Sequence, residues 1–370
     1  MGEEYVFKNM IYNHIARTVS KGIVQQRIDT LKIGQRMQDL PESLWHKSFL
    51  YYVKEDKTRK GGPNMRMIRL DPHKPSLTVT GFIFNKFVHP YENRFITVRE
   101  AARLQGFPDD MEILGSLTST QRQIGNAVPV PLAKAIFNSI LKYAHDIGYA
   151  NRELQAFSMF CGAGGLDVGA SIANVDGYDI KTLLAVDNWD DACNTLRKYK
   201  GKETNVVLQD IAVVENPLFF WRTNTNKMIK PDIIYGGPPC QAFSQAGKQK
   251  ALEDDRGGLV YEFIRYVKDI RPAFFVMENV SNIVSIYKGL LCKDIISRLQ
   301  SCGYNVSFGI LNSAEFGAPQ LRKRAVFIGT STKLGQAPLP SPTYSETSDL
   351  FGLPYYKTVG EAFEGLPILR

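Results

Sequence analysis

From residue 151 onward the chain alternates short apolar, β-rich runs with helical stretches, and this alternation restricts the fold more than any other feature. "LQAFSMF" runs into a glycine cluster, "KTLLAVD" and "TNVVLQD" each end on an acid, and "PDIIYGG" ends at a Pro-Pro-Cys corner. "RPAFFVMENV", "YNVSFGILN" and "RAVFIGT" follow. Between them, "GLVYEFIRYVKDI" carries apolar residues at 259, 260, 263, 264, 267 and 270, a helical stripe. Strands separated by helices predict an α/β fold built on a doubly wound, mostly parallel sheet. In such sheets ligands sit outside the carboxyl ends of the strands, and the glycines, acids and Cys240 all fall there.

Composition fits a folded globular chain. Of 370 residues, 44% are hydrophobic and 22% charged, enough for one large domain and a smaller one. No run of about 18 apolar residues and no signal-peptide pattern is read, so a cytoplasmic protein is expected. The five cysteines form no C-x-x-C pair, so neither a disulfide framework nor a metal site is expected. The formal net charge is +8, and residues 1–75 hold 14 Lys and Arg against 8 Asp and Glu. Clustered cations suit either a solvated surface or a phosphate-facing module.

Residues 97–106 read as a helix with Thr97 as N-cap, Glu100 completing a capping box and Gly106 as the stop. Residues 128–145 read as another helix, and 335–360, rich in Pro, Ser and Gly, as a connector.

Three strand ends suggest a nucleoside site. The stretch "FCGAGGLDVG" lets backbone approach a ligand but lacks the G-x-G-x-x-G fingerprint, which disfavours a nucleotide-dependent oxidoreductase. Asp187 is placed for ribose hydroxyls, Trp189 for a purine face and Asp210 for an adenine amino group; each alone reads more readily as turn chemistry, and together they favour a nucleoside site. Cys240, at a strand end before the loop 242–258, is a candidate nucleophile. Glu278 ends the next strand and is a candidate proton donor if burial raises its pKa. Alternation along "QLRKR" aims Arg322 and Arg324 at one face.

These residues, with "FSMFCGAGG", "VDNW", "QDI", "GGPPCQAFSQAGKQKALEDDRG", "FVMENV", "APQLRKRAVFIG", "ITVREAARLQGFP" and "QIGNAVPVPLA", make the chain resemble a DNA (cytosine-5) methyltransferase over nearly all of 70–330. The order departs from that family. "REAARLQGFP" and "GNAVP" usually close the chain and here precede "CGAGG", so the sequence resembles a circularly permuted member with a Rossmann-like methyltransferase fold.

The resemblance implies that Cys240 adds to C6 of a flipped-out cytosine. Glu278 would meet N3, and Arg324 and Arg322 would hold O2. S-adenosylmethionine is the implied cofactor. Phe160, Gly162, Ala163, Gly164, Asp187, Trp189, Asp210, Ile211, Pro239, Leu259, Asn126 and Val128 would surround it. Asp187 stands where the family usually has Glu, and Asn188 is the neighbouring alternative for the ribose.

Double-stranded DNA is the implied partner, with Gln241, Ser244 and Lys248 in a loop closing over it. A target-recognition region is expected in 1–75, with 335–370 adjoining. Arg59, Lys60, Asn64 and Arg66 are its candidate base readers, or phosphate contacts only. The segment 76–150 would hold the relocated motifs and 151–334 the catalytic core. A monomer is expected, protecting host DNA beside a restriction endonuclease. A relative acting on RNA and a catalytically silent DNA-binding protein stand as rivals.

Overall fold

A computed structural model describes residues 11–19, 21–47, 49–50, 67–81, 86–239, 258–347 and 352–369. Cys240, Gln241, Ser244, Lys248, Arg59, Lys60, Asn64 and Arg66 lie outside the described residues. The chain divides into two compact units. One comprises Met1–Asn126, Pro319–Leu321 and Tyr356–Arg370; the other comprises Ala127–Ala318 and Arg322–Tyr355.

The second unit is built on an 8-stranded sheet. Its strands are β1 (Glu153–Met159), β2 (Asn174–Val175), β3 (Tyr178–Asp187), β4 (Asn205–Leu208), β5 (Ile233–Gly236), β6 (Phe274–Val280), β7 (Tyr304–Asn312) and β8 (Lys323–Ser331). The order is β7-β8-β6-β5-β1-β3-β2, with β4 also on β3. β1, β3, β4, β5 and β6 pair in parallel, whereas β7 and β8 form an antiparallel edge on β6. The mostly parallel α/β sheet read from the sequence is therefore present.

Helices α1 (Val130–Asp146), α2 (Gly165–Ser171), α3 (Asp190–Lys200), α4 (Pro217–Thr225), α5 (Leu259–Ile270) and α6 (Leu290–Ser301) accompany it. Strand alternation splits the core in two. Leu154, Ala156, Ile233, Tyr235, Phe274, Val276, Val326 and Ile328 share one cluster with the buried face of α1. Phe157, Met159, Ile234, Phe275, Met277, Ala325 and Phe327 share the other with α5 and α6. Both faces are covered, which is why these strands read as continuous apolar runs.

The stretch Leu117–Asp146 is long and apolar enough to cross a membrane by composition, yet 67% of its apolar window is buried inside the protein. Within it, α1 serves as a core helix of the sheet unit.

The first unit has its own cluster, which includes Ile28, Leu31, Met37, Leu40, Phe49, Met67, Val88 and Phe95. The helix Val98–Leu104 carries the expected capping box from Thr97 and Glu100, and Gly106 has φ 81° beyond its end. The helix Val359–Phe363 joins this unit, where Val359 N donates to Lys74 O and Gly360 N to Pro72 O.

The expected boundaries are therefore redrawn. Of 76–150, the part to Asn126 groups with the first unit, while α1 packs on the sheet. Residues 335–355 also belong with the sheet. Ala337 is buried there, Ser139 Oγ donates to Pro338 O at 2.8 Å, and Tyr143 OH donates to Leu334 O at 2.6 Å.

Candidate functional site

The carboxyl ends of β1, β3, β4, β5 and β6 lie side by side, so the sheet gathers residues far apart in sequence. β1 ends at Met159. Phe160 (φ 52°), Gly162 (φ 52°) and Gly164 (φ 90°) then turn the chain through left-handed conformations into α2. A Cβ at Gly162 would meet nothing within 4 Å, so this loop has an open side. A Cβ at Gly165 would lie 2.3 Å from Val128 O, so only glycine lets the two segments touch. The "GNAVP" and "CGAGG" stretches thus meet through Val128, which is buried, as is Ala163.

Asp187 ends β3 and faces this loop. Its Oδ2 accepts from Gly162 N at 2.8 Å and its Oδ1 from Trp189 N at 2.9 Å. Burial pushes its carboxyl above the usual carboxylate range, and those amides pull it back. This second role, fixing the glycine loop, was not read from the sequence. Trp189 is the N-cap residue of α3 and is half-buried. Asp210 is exposed beyond β4 and caps the short helix Ile211–Val213, accepting from Ala212 N at 2.9 Å; Ile211 is buried. Leu259 opens α5, Pro239 is exposed at the end of the described corner, and Asn126 ends the helix Leu117–Asn126 of the other unit.

Glu278, Arg324 and Arg322 form an electrostatic cluster. Val326 pairs with Glu278 and Arg324 with Val280 across antiparallel β8 and β6. Arg324 and Glu278 are therefore diagonal neighbours on one face, within reach for long side chains. Arg324 Nε lies 2.6 Å from Glu278 Oε1. Burial raises the Glu278 pKa, and Arg324 and then Arg322 oppose the rise. Arg322 is 1% exposed; burial and repulsion by Arg324 lower its guanidinium to about 9, with Glu278 opposing.

The corner leading to Cys240 rests on the same strand. A Cβ at Gly237 would stand 2.9 Å from Glu278 Oε2. Asn279 Nδ2 donates to Pro238 O at 2.9 Å. This role of Asn279 is not legible in the sequence, where its only signal is a second polar residue beside Glu278 in a largely apolar strand.

The profile of the C-5 cytosine-specific DNA methylase family matches residues 2–142 and 154–365. The chain is 37% identical over 231 residues to the Type II methyltransferase M.AquIA of Picosynechococcus sp., covering 58% of this chain and 90% of that protein. It is 34% identical over 227 residues to the Type II methyltransferase M.NgoFVII of Neisseria gonorrhoeae, covering 61% of this chain and only 57% of that one. The solved structure of S. pombe Dnmt2 methyltransferase is 20% identical with a TM-score of 0.40, covering 50% of this chain and 54% of that chain. With the family profile spanning most of its length, this chain belongs to the C-5 cytosine-specific DNA methylases.

Proposed function

We propose that the protein is a sequence-specific DNA methyltransferase that transfers a methyl group to C5 of a cytosine, as the modifying half of a bacterial restriction–modification pair. The observation that carries the reading is the ion pair between partly buried Arg324 and buried Glu278, the latter on a strand adjacent to the one that runs into Cys240. The Type II methyltransferases among its relatives support the substrate and the biological setting. The reading includes action as a cytoplasmic monomer on duplex DNA.

The residues present fit S-adenosylmethionine as cofactor. A glycine loop with an open side, an acid at the end of the adjacent strand and a second, exposed acid at Asp210 suit an adenosine. Phe160, Gly162, Ala163, Gly164, Asp187, Trp189, Asp210, Ile211, Pro239, Leu259, Asn126 and Val128 would hold it. When bound, it supplies an electrophilic methyl group.

In this reading the Cys240 thiolate adds to C6 of a flipped cytosine. Glu278, whose neutral form burial favours against the pull of Arg324 and Arg322, donates to N3 and takes up the electron density that the addition pushes into the ring. Arg324 and Arg322 hold O2. C5 becomes nucleophilic and is methylated; loss of the C5 proton then expels the thiolate. Gln241, Ser244 and Lys248 would contact the DNA near the site, and Arg59, Lys60 and Arg66 would grip it within a recognition region in the first unit. The motif order is read as a circular permutation.

The test incubates the protein with tritiated S-adenosylmethionine and either random-sequence duplex DNA or tRNA, then locates the label. Label at C5 of cytosine in one short DNA context is expected. Label on tRNA alone would replace the DNA substrate with RNA. DNA binding without label would make the protein a silent binder.

A further inference from the structure

Asn279 follows Glu278 on β6 and is 3% exposed. Its own neighbour fixes how its amide points. Oδ1 accepts from Val280 N–H at 2.9 Å, so the amide nitrogen is the end left to face Pro238. That nitrogen donates to Pro238 O at 2.9 Å in a fully buried bond.

The chain needs such a donor at this point. β5 and β6 pair in parallel from Ile233↔Phe274 to Gly236↔Met277 and no further. Pro238 and Pro239 have no N–H, so a regular ladder cannot continue through them. Pro238 is nonetheless buried. Its carbonyl would lose water on folding and gain nothing in return, and the Asn279 side chain replaces the missing ladder bond. One residue earlier, Gly237 leaves just enough room for the Glu278 carboxyl. Two consecutive residues of β6 thus grip two consecutive residues of the corner, Glu278 against Gly237 and Asn279 against Pro238.

We infer that Asn279 is a positioning residue for methyl transfer. It holds the Pro-Pro corner, and with it the chain two residues before Cys240, in register with the Glu278 carboxyl. The inference rests on Cys240 being the nucleophile. Asn279 itself contacts neither base nor cofactor in this account. Its effect is therefore expected on the rate of covalent attack and not on affinity.

The experiment uses the full chain, S-adenosylmethionine and random-sequence duplex DNA in which 5-fluorocytosine replaces cytosine, and follows formation of the covalent adduct. Wild type is compared with Asn279→Ala, Asn279→Asp and Cys240→Ser. KM for both substrates and thermal midpoints are measured in parallel. Asn279→Ala is expected to slow adduct formation by about 100-fold, the scale of a misplacement near 1 Å, with both KM values within about twofold of wild type.

Asn279→Asp has nearly the same shape and keeps the acceptor for Val280 N–H, so it carries the test if the alanine variant folds poorly. When ionised it cannot donate to Pro238 O; when protonated it can. Its adduct rate, taken relative to wild type, is expected to rise as pH falls into the carboxyl range, while that of the alanine variant stays flat. A purely structural role does not produce that recovery. Adduct rates within about threefold of wild type for both variants would overturn the inference. So would a slow rate accompanied by an equal rise in both KM values and no recovery of the aspartate variant at low pH. A Cys240→Ser protein that forms adduct as fast as wild type would remove the nucleophile reading, and this inference with it.

Discussion

Arg324 Nε lies 2.6 Å from Oε1 of Glu278, and both side chains are nearly enclosed. Burial drives the Glu278 carboxyl toward its neutral form, and the two arginines restrain it. Its folded pKa is raised, so the neutral acid is fully present at low pH and is lost as pH rises through that raised value. Methyl transfer that needs the neutral acid is expected to lose rate along this alkaline limb. Glu278→Gln should lower kcat by about 10²–10⁴-fold and abolish the limb. Arg324→Ala removes the main restraint and should move it to higher pH. Initial rates from pH 5 to 9 check both.

Gly237→Ala places a methyl group 2.9 Å from Glu278 Oε2. Gly237 is not among the positive-φ glycines, so its backbone accepts alanine; only the carboxyl has to give way. Activity is expected to fall by at least about 10-fold while the melting temperature moves little, since in the proposed mechanism displacing the Glu278 carboxyl by a fraction of an ångström is enough. Calorimetry beside the methylation assay separates the two effects.

Asp167 is completely buried on α2 and accepts from Tyr235 OH at 3.0 Å; Tyr235 OH also lies 2.6 Å from Thr182 Oγ1. Burial, partly offset by Lys200 and Tyr235, raises the Asp167 pKa. A raised folded pKa gives stability that is complete at low pH and declines as pH rises through it. Asp167→Asn keeps the acceptor without that decline. Its stability relative to wild type should therefore improve as pH rises from the ordinary carboxyl range through the raised folded value. At low pH, where the acid is neutral in both states, Asp167→Ala should cost about 1–3 kcal/mol by removing a buried acceptor. Denaturant unfolding at several pH values reads this directly.

Arg69 anchors the first unit through hydrogen bonds to the carbonyls of Leu31, His89, Glu92 and Ile28 and to Asn93 Oδ1. Arg69→Ala should destabilise by about 3–5 kcal/mol, because it strips donors from several carbonyls at once. Arg69→Lys should recover little, since a single ammonium cannot span that fork. Thermal melting of both variants is the check.

The sheet was legible because its strands are buried on both faces: "PDIIYGG" and "RPAFFVMENV" had no other consistent reading. The capping box at Thr97 and Glu100 was equally plain, since it depends on residues three apart. Pairing across long separations was not legible. Nothing local in "MENV" says that Asn279 reaches back 41 residues to Pro238, and nothing in "VDNW" says that both oxygens of Asp187 already hold backbone amides. The unit boundary was missed for the same reason. Residues 76–126 and 127–150 read as one group of motifs, but tertiary contacts assign them to different units.

In the proposed mechanism Cys240 attacks the base while Glu278 protonates it. The most direct measurement is the intact mass of the protein after incubation with S-adenosylmethionine and duplex DNA containing 5-fluorocytosine. One covalent protein–DNA species is expected that carries a transferred methyl group, with the linkage mapping to Cys240 and absent from Cys240→Ser. Methylated DNA formed with no adduct, or an adduct that survives in Cys240→Ser, would contradict it.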